Sequence, residues 1–266
     1  DVGLPPGSNR ITLAITVYFL GMAGGQIVYG PLSDRFGRMA TLRVGMAIYA
    51  VGAAGSMLAT DFGFLLGSRL VWGLGASAAS LMNLAILRDL YSGTRMARMM
   101  SLVTAVFLAG PVVTPLAAEG ILRAASWRWI YACGLVLAVA IVTWSLRFGE
   151  TLHPDNRRPL RVGPTVDAFR QVVTCRRTVL YAATLLFVDG AFLIFLGSTQ
   201  QVFDIIYGRA DQFAFLFAAS AIPFAIGFLL VSPAIGRWGA HRVGLAVLSA
   251  ALALAADGHA IVFTPG

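Results

Sequence analysis

The chain has 266 residues, 58% hydrophobic and 12% charged, and its net charge of +8 comes from 20 arginines without a lysine. Apolar stretches of about 20 residues match the ~30 Å hydrocarbon core that a helix crosses, which excludes a water-soluble globular domain. The arginines flank those stretches and form no single basic stripe with interleaved aromatics, which excludes a nucleic-acid-binding surface.

Eight membrane spans are predicted in chain order, at about residues 11–33, 44–60, 62–87, 99–122, 128–147, 179–201, 212–234 and 243–263. Residues 44–87 are nearly uninterrupted, but a helix of that length would be about twice the core thickness, so Thr60-Asp61 marks a tight hairpin at the membrane surface. Lipid demands internally satisfied backbone, and period-2 alternation is missing, so the expected fold is an all-α polytopic membrane protein.

Arginine placement fixes the expected orientation. With the edge residues Arg128 and Arg147 of the fifth span counted in the connections they adjoin, the connections after the first, third, fifth and seventh spans carry 3, 3, 7 and 2 arginines, against 1, 0, 2 and 1 in the N-terminal stub and the other connections. By the positive-inside bias, the loop 34–43 and the linker 148–178 face the cytoplasm. Pro31-Leu-Ser-Asp-Arg35-Phe-Gly37 recurs in weaker form as Pro233-Ala-Ile-Gly-Arg237-Trp-Gly239, at an offset of 202 residues. The first span then corresponds to the seventh, one repeat holds six spans, and two repeats make twelve. The chain therefore reads as eight spans of a longer protein. Residues 1–147 are most of a first half lacking its first helix, 148–178 a linker, and 179–266 the first three helices of a second half. Within the linker, Val166, Phe169, Val172 and Val173 recur at helical spacing among Asp167, Arg170 and Gln171, as in an amphipathic helix lying on the membrane surface.

The turn Gly30-Pro-Leu-Ser-Asp34-Arg35-Phe-Gly37-Arg38-Met-Ala-Thr-Leu42 carries the most specific pattern. From residue types, Gly30 allows close helix packing and Gly37 a tight turn. Asp34 can accept hydrogen bonds at a helix N-terminus while pairing with Arg35, Arg38 or a base on a neighbouring span. Such a charge cluster can latch one of two conformations.

The pattern resembles the first cytoplasmic loop of the major facilitator superfamily, G-x-L-x-D-R-x-G-R-[KR]-x-x-L, departing only at Met39. Leu65-Leu-Gly-Ser-Arg69-Leu-Val-Trp72-Gly73-Leu-Gly75-Ala76 resembles the superfamily's L-x-x-x-R-x-x-Q-G-x-G-A-A motif, with Trp72 in place of Gln. That resemblance implies an arginine associated with proton coupling; snorkelling to the outer surface is the alternative for Arg69. Gly110-Pro111-Val-Val-Thr114-Pro115-Leu-Ala-Ala118-Glu119 is similar to the antiporter motif G-x-x-x-G-P-x-x-G-G, and its two prolines should bend the helix. Arg88-Asp89-Leu-Tyr91, Trp127-Arg128 and Glu150-Thr-Leu-His-Pro154 further resemble the bicyclomycin and chloramphenicol resistance (Bcr/CflA) branch of drug exporters.

What the resemblance implies is proton-coupled export of small toxic compounds across a bacterial inner membrane. A proton-coupled metabolite importer of the same fold and an inactive fragment or scaffold are the alternatives. Asp189, about 15 Å into the sixth span, is costly there as an unpaired carboxylate and is a candidate proton carrier or cation ligand beside Arg69, with a structural aspartate as the competing reading. Tyr18, Gln26, Asn83, Phe187, Phe192, Gln200 and Gln201 are candidate cavity residues, whereas Asp257 and His259 read as surface residues. No Ser/His/Asp set, H-E-x-x-H or phosphate loop points to an enzyme, and no Cys/His spacing suits a metal. The expected partners are a small-molecule substrate, protons and the bilayer, with no cofactor; a disulfide between Cys133 and Cys175 is not expected.

Overall fold

The computed structural model describes residues 10–157, 159, 162–201, 203, 208, 215–217, 219, 234 and 237–263. Among them the long elements are α1 (Arg10–Phe36), α2 (Arg38–Leu58), α3 (Phe62–Leu90), α4 (Gly93–Ala124), α5 (Arg128–Ser145), α6 (Val162–Thr174), α7 (Arg176–Gln201) and α8 (Ala240–Phe263), with a short 3₁₀ turn at Pro154–Asn156. No strand occurs among the described residues. Among the described residues, five stretches are long and apolar enough to cross a membrane: Thr12–Phe36, Arg38–Leu58, Phe62–Leu90, Arg128–Ser145 and Arg176–Phe195. Helices α4 and α8 overlie the fourth and eighth predicted spans. The seventh, 212–234, lies largely outside the described residues.

The predicted hairpin at Thr60-Asp61 is present. Helix α2 ends at Leu58, and the Asp61 carboxylate caps α3 by accepting from the Phe64 N–H at 2.9 Å. The predicted loop 34–43 is not a loop. α1 continues to Phe36, α2 starts at Arg38, and the whole connection is Gly37, whose φ of 102° and ψ of 159° break the helix in one residue. Helix ends outrun the apolar runs because nothing stops a helix from carrying its polar terminal turns into the interfacial layer. For the same reason α4 begins at Gly93, ahead of the predicted residue 99.

The sequence repeat has a backbone counterpart. Gly239 takes φ 81° immediately before α8, as Gly37 takes 102° immediately before α2. The Val243 N–H bonds the Gly239 carbonyl at 3.2 Å, and the Thr41 N–H bonds that of Gly37 at 3.3 Å.

The chain divides into two units, one of Asp1–Phe107 with Ala117–Phe213 and the other of Leu108–Leu116 with Ala214–Gly266. In the first, α3 is the central helix, packed on α1 and on α2, while α2 also packs on α5. Small residues make these crossings possible. A Cβ at Gly73 would collide with the Tyr18 carbonyl of α1, one at Gly52 with the Trp72 backbone, and one at Gly75 with the Tyr49 backbone. Gly30, expected to mediate close packing, has nothing within 4 Å of its Cβ position. Small residues are prominent among the buried positions, with Ser33, Ser56, Ser77, Ala53 and Ala78 beside Met46 and Met82, while Leu20, Val51, Val106, Val136 and Leu186 are exposed. Lipid tails accept such apolar residues as readily as a protein core does, so close backbone packing takes over the role that hydrophobic burial has in water.

Gly73→Val should therefore destabilise the α1–α3 crossing by about 1–3 kcal/mol, the usual range for overpacking. Gly67→Ala, at a position with open space, should be neutral or slightly stabilising. Unfolding of the two variants in detergent, followed by helicity and size-exclusion profile, checks the contrast.

Candidate functional site

Two polar clusters occur inside the first unit. The first surrounds the Gly37 turn. Arg38, at the start of α2, donates through Nη1 to Asp34 Oδ1 at 2.6 Å and to Ser33 Oγ at 2.6 Å, both on the last turn of α1. Its Nε donates to Asp89 Oδ2 at 3.1 Å, on the last turn of α3. One guanidinium thus ties three helix ends, and its planar fork suits two carboxylates at once. The Arg38 side chain is 13% exposed and that of Asp89 22%, against 41% for Asp34, so the bond to α3 is the less solvent-screened of the two ion pairs. Arg35 is exposed and stands outside this node.

Asp34 does not cap a helix N-terminus, because it belongs to the C-terminal end of α1. Two open N–H groups of α2 are taken by Glu150, which arrives from beyond α5. Its Oε1 accepts from the Arg38 N–H at 2.7 Å, and its Oε2 from the Met39 N–H at 3.3 Å. The same carboxylate accepts from Thr151 N–H at 3.1 Å and Leu152 N–H at 3.2 Å, which folds the start of the linker back onto the turn. An anion at a helix N-terminus meets both the unpaired donors and the positive end of the helix dipole. Gly37 is required twice here, since its φ favours glycine and a Cβ would run into the Glu150 carboxylate.

Arginines complete the complementary arrangement at helix C-termini. Arg43 of α2 donates through Nη2 to the Ser145 carbonyl at 2.9 Å, at the end of α5. At the opposite end of the bundle, Arg128 donates to the Met57 carbonyl at 3.1 Å and the Ala59 carbonyl at 3.2 Å, closing the end of α2. Its guanidinium also lies 4.6 Å from the Trp127 ring centre.

The second cluster surrounds Arg69, about 10 Å along α3 from its start. Nη2 donates to the Tyr131 hydroxyl of α5 at 2.7 Å. The guanidinium carbon stands 5.2 Å from the Trp72 ring centre and 5.1 Å from that of Tyr131, within cation–π range. Trp72 in turn meets Tyr18 of α1, Tyr49 of α2 and Tyr131 edge-on, at 5.7, 5.5 and 5.3 Å between ring centres. Arg69 therefore points into an aromatic enclosure built from four helices and has no carboxylate partner among the described residues. Its Nε is buried there without a hydrogen-bond partner. Such an arrangement presents a fixed positive charge to any acceptor entering beside it.

The other sequence candidates are scattered. Asp189 is exposed on α7, makes no ion pair among the described residues, and is not brought to Arg69. Gln26, Asn83 and Phe187 are exposed and Phe192 is half-buried, while Tyr18 joins the aromatic cluster. Helix α4 remains helical through Gly110, Pro111 and Pro115, and Glu119 pairs with Arg123 one turn on. The side chains of Gln200, Gln201, Asp257 and His259 lie outside those described. Cys133 and Cys175 are free thiols, and the described residues contain no group of three or more metal-ligating side chains. Sequence reading gave no role to Ser33, Asp89, Tyr131 or Glu150. Asp89 and Glu150 did lie in the short sets Arg88-Asp89 and Glu150-Thr-Leu-His, which were the available signal.

A profile of the Major Facilitator Superfamily matches residues 2–264. The chain is 30% identical over 254 residues to a bicyclomycin resistance protein homolog of Haemophilus influenzae, covering 93% of this chain and 63% of that protein. It is 29% identical over 259 residues to a chloramphenicol resistance protein of Pseudomonas aeruginosa, covering 94% and 60%. An uncharacterized transporter of this type from Bacillus subtilis, YdgK, is 28% identical over 95% of this chain and 64% of its own length. The chain thus spans somewhat under two thirds of the relatives it matches. A D-xylose-proton symporter has the same fold, with a TM-score of 0.62 over 86% of this chain and 58% of the symporter, at 15% identity.

Gly37→Ala and Glu150→Ala should each destabilise the fold by about 1–2 kcal/mol, the usual effect of a lost cap. The double variant should lose clearly less than the sum, because either change alone removes the Glu150 cap. Thermal unfolding of the four proteins in detergent measures that coupling.

Proposed function

Because the chain belongs to the Major Facilitator Superfamily, we propose that the protein containing it exports small toxic compounds in exchange for protons, by alternating access across a bacterial inner membrane. The observation that carries this reading is the Arg38 node, which joins the ends of α1 and α3 at the Gly37 turn while Glu150 ties in the chain that follows α5. A node of charge-assisted bonds can be made in one conformation and broken in another, so it biases the balance of the two access states. The relatives named for bicyclomycin and chloramphenicol resistance support drugs as the cargo and export as the direction. The arginine-rich connections support a cytoplasmic position for the Gly37 turn and the linker.

In this reading Arg69 supplies the charge for proton coupling. A guanidinium holds its own proton, so its contribution is to attract a carboxylate or a substrate acceptor and to be released when that group is protonated. Tyr131 orients it from α5, and the aromatic rings keep water away. Asp189 is the proposed proton carrier on α7, meeting the arginine side of the site only in a conformation other than this one. Gly110, Pro111 and Pro115 form the proposed bend of α4, with Tyr18 on the cavity wall. Residues 1–147 and 179–266 are assigned to the two transporter halves.

Asp34→Asn should slow export by about tenfold, equivalent to ~1.4 kcal/mol of altered state balance, while leaving expression and insertion normal. Drug accumulation in a sensitive bacterial strain, measured beside membrane expression, tests this; wild-type export from a well-expressed variant would remove the latch. In vesicles with an imposed pH gradient, Arg69→Ala should abolish proton–drug exchange and Arg69→Lys should keep part of it. Normal exchange by the alanine variant would reduce Arg69 to a structural role.

A further inference from the structure

Helix α6 has no part in the transport reading. Its 13 residues extend about 20 Å, too short to cross the bilayer core. Val166, Phe169 and Val173 fall on one stripe at i, i+3 and i+7, and with Val172 beside them they are 56, 57, 59 and 52% exposed. Asp167, Gln171 and Thr174 occupy other faces, all exposed.

The position of that stripe is set by the next helix. A single residue, Cys175, separates α6 from α7, its N–H bonded to the Gln171 carbonyl at 3.1 Å and its carbonyl accepting from Val179 at 3.0 Å. The following stretch, Arg176–Phe195, is long and apolar enough to cross a membrane. The C-terminal end of α6 therefore lies where the chain enters the bilayer, and the nearest apolar phase for its stripe is the boundary between headgroups and acyl chains. Arg170 flanks the stripe, and Arg176 and Arg177 follow it. All three are exposed and without a carboxylate partner among the described residues. Guanidinium groups at that depth meet lipid phosphates, and a net negative surface attracts them further.

We propose that α6 is an interfacial docking helix that seats Val166, Phe169 and Val173 in the bilayer surface and binds anionic phospholipid headgroups through Arg170, Arg176 and Arg177. This does not depend on what the protein transports.

The test uses the full chain with Cys133→Ser and Cys175→Ser, carrying one spin-labelled cysteine at Val166, Phe169, Val173, Asp167 or Gln171. The chain is reconstituted in vesicles of phosphatidylcholine alone or mixed with phosphatidylglycerol. Collision with oxygen reports lipid exposure, and collision with a water-soluble nickel chelate reports water exposure. In the mixed vesicles, labels at 166, 169 and 173 should favour oxygen, and labels at 167 and 171 should favour nickel. The docked population should fall in phosphatidylcholine alone and at high salt. Arg170→Gln, Arg176→Gln or Arg177→Gln should each weaken the preference for phosphatidylglycerol about fivefold, from ~1 kcal/mol per basic residue near an anionic surface. Three outcomes overturn the proposal: nickel reaching all five labels alike, stripe labels shielded from both reagents and so seated on protein, or docking equally deep without phosphatidylglycerol.

Discussion

Every helix leaves unpaired donors at its start and unpaired acceptors at its end, and a membrane protein must close them with its own side chains wherever water is scarce. Much of this chain's long-range polar structure is an answer to that demand. Glu150 takes the open donors of α2, Arg43 the end of α5, and Arg128 the end of α2. Each is charged with the sign that the helix dipole favours at that end. Each also comes from a different helix or the segment beyond one, so satisfying an end and fixing a neighbour are the same event. Arg38 extends the scheme by joining the last turns of α1 and α3, the point where a conformational bias can be applied without disturbing the bundle interior.

Between those ends the helices approach through glycine and serine, and Tyr18, Tyr49 and Tyr131 gather around Trp72. Glycines at 52 and 75 bring the backbones of α2 and α3 close enough for Tyr49 and Trp72 to meet, and Gly73 does the same for α1 and Tyr18. The tight crossings thereby build the enclosure into which Arg69 projects. Its cationic centre is held by a hydroxyl and by ring faces, with no compensating carboxylate among the described residues. A carboxylate partner would have neutralised it and left less attraction for an incoming acceptor.

The locally determined features were legible in the sequence. Thr60-Asp61 could be read as a hairpin because one helix over residues 44–87 would be about twice as long as the bilayer core is thick, and Gly37 could be read as a turn because glycine permits tight turns. The repeat at 202 residues was visible for the same reason, since Gly239 repeats both the residue and the backbone geometry. Helices α2 and α4 start ahead of the spans read from residues 44 and 99 because hydropathy records where lipid lies and says little about where hydrogen bonding stops. The partners of the clusters were hidden by sequence distance. Arg38 and Asp89 are 51 positions apart, and Arg69 and Tyr131 are 62 apart, with no periodicity linking them. The cavity candidates rested on residue type alone, which does not distinguish a side chain facing a cavity from one facing lipid, and the exposure of Gln26 and Phe187 fits either.

The remote origin of the Glu150 cap has a consequence for biosynthesis. The carboxylate lies 112 positions after the N–H group it serves, and at about 5–20 residues per second roughly 6–20 s of translation separate the two. Throughout that interval the start of α2 has to be supported by water, lipid headgroups or the insertion machinery. The Gly37 turn consequently reaches its final form only after α5 has been made, although both helices that flank it are synthesised before α3.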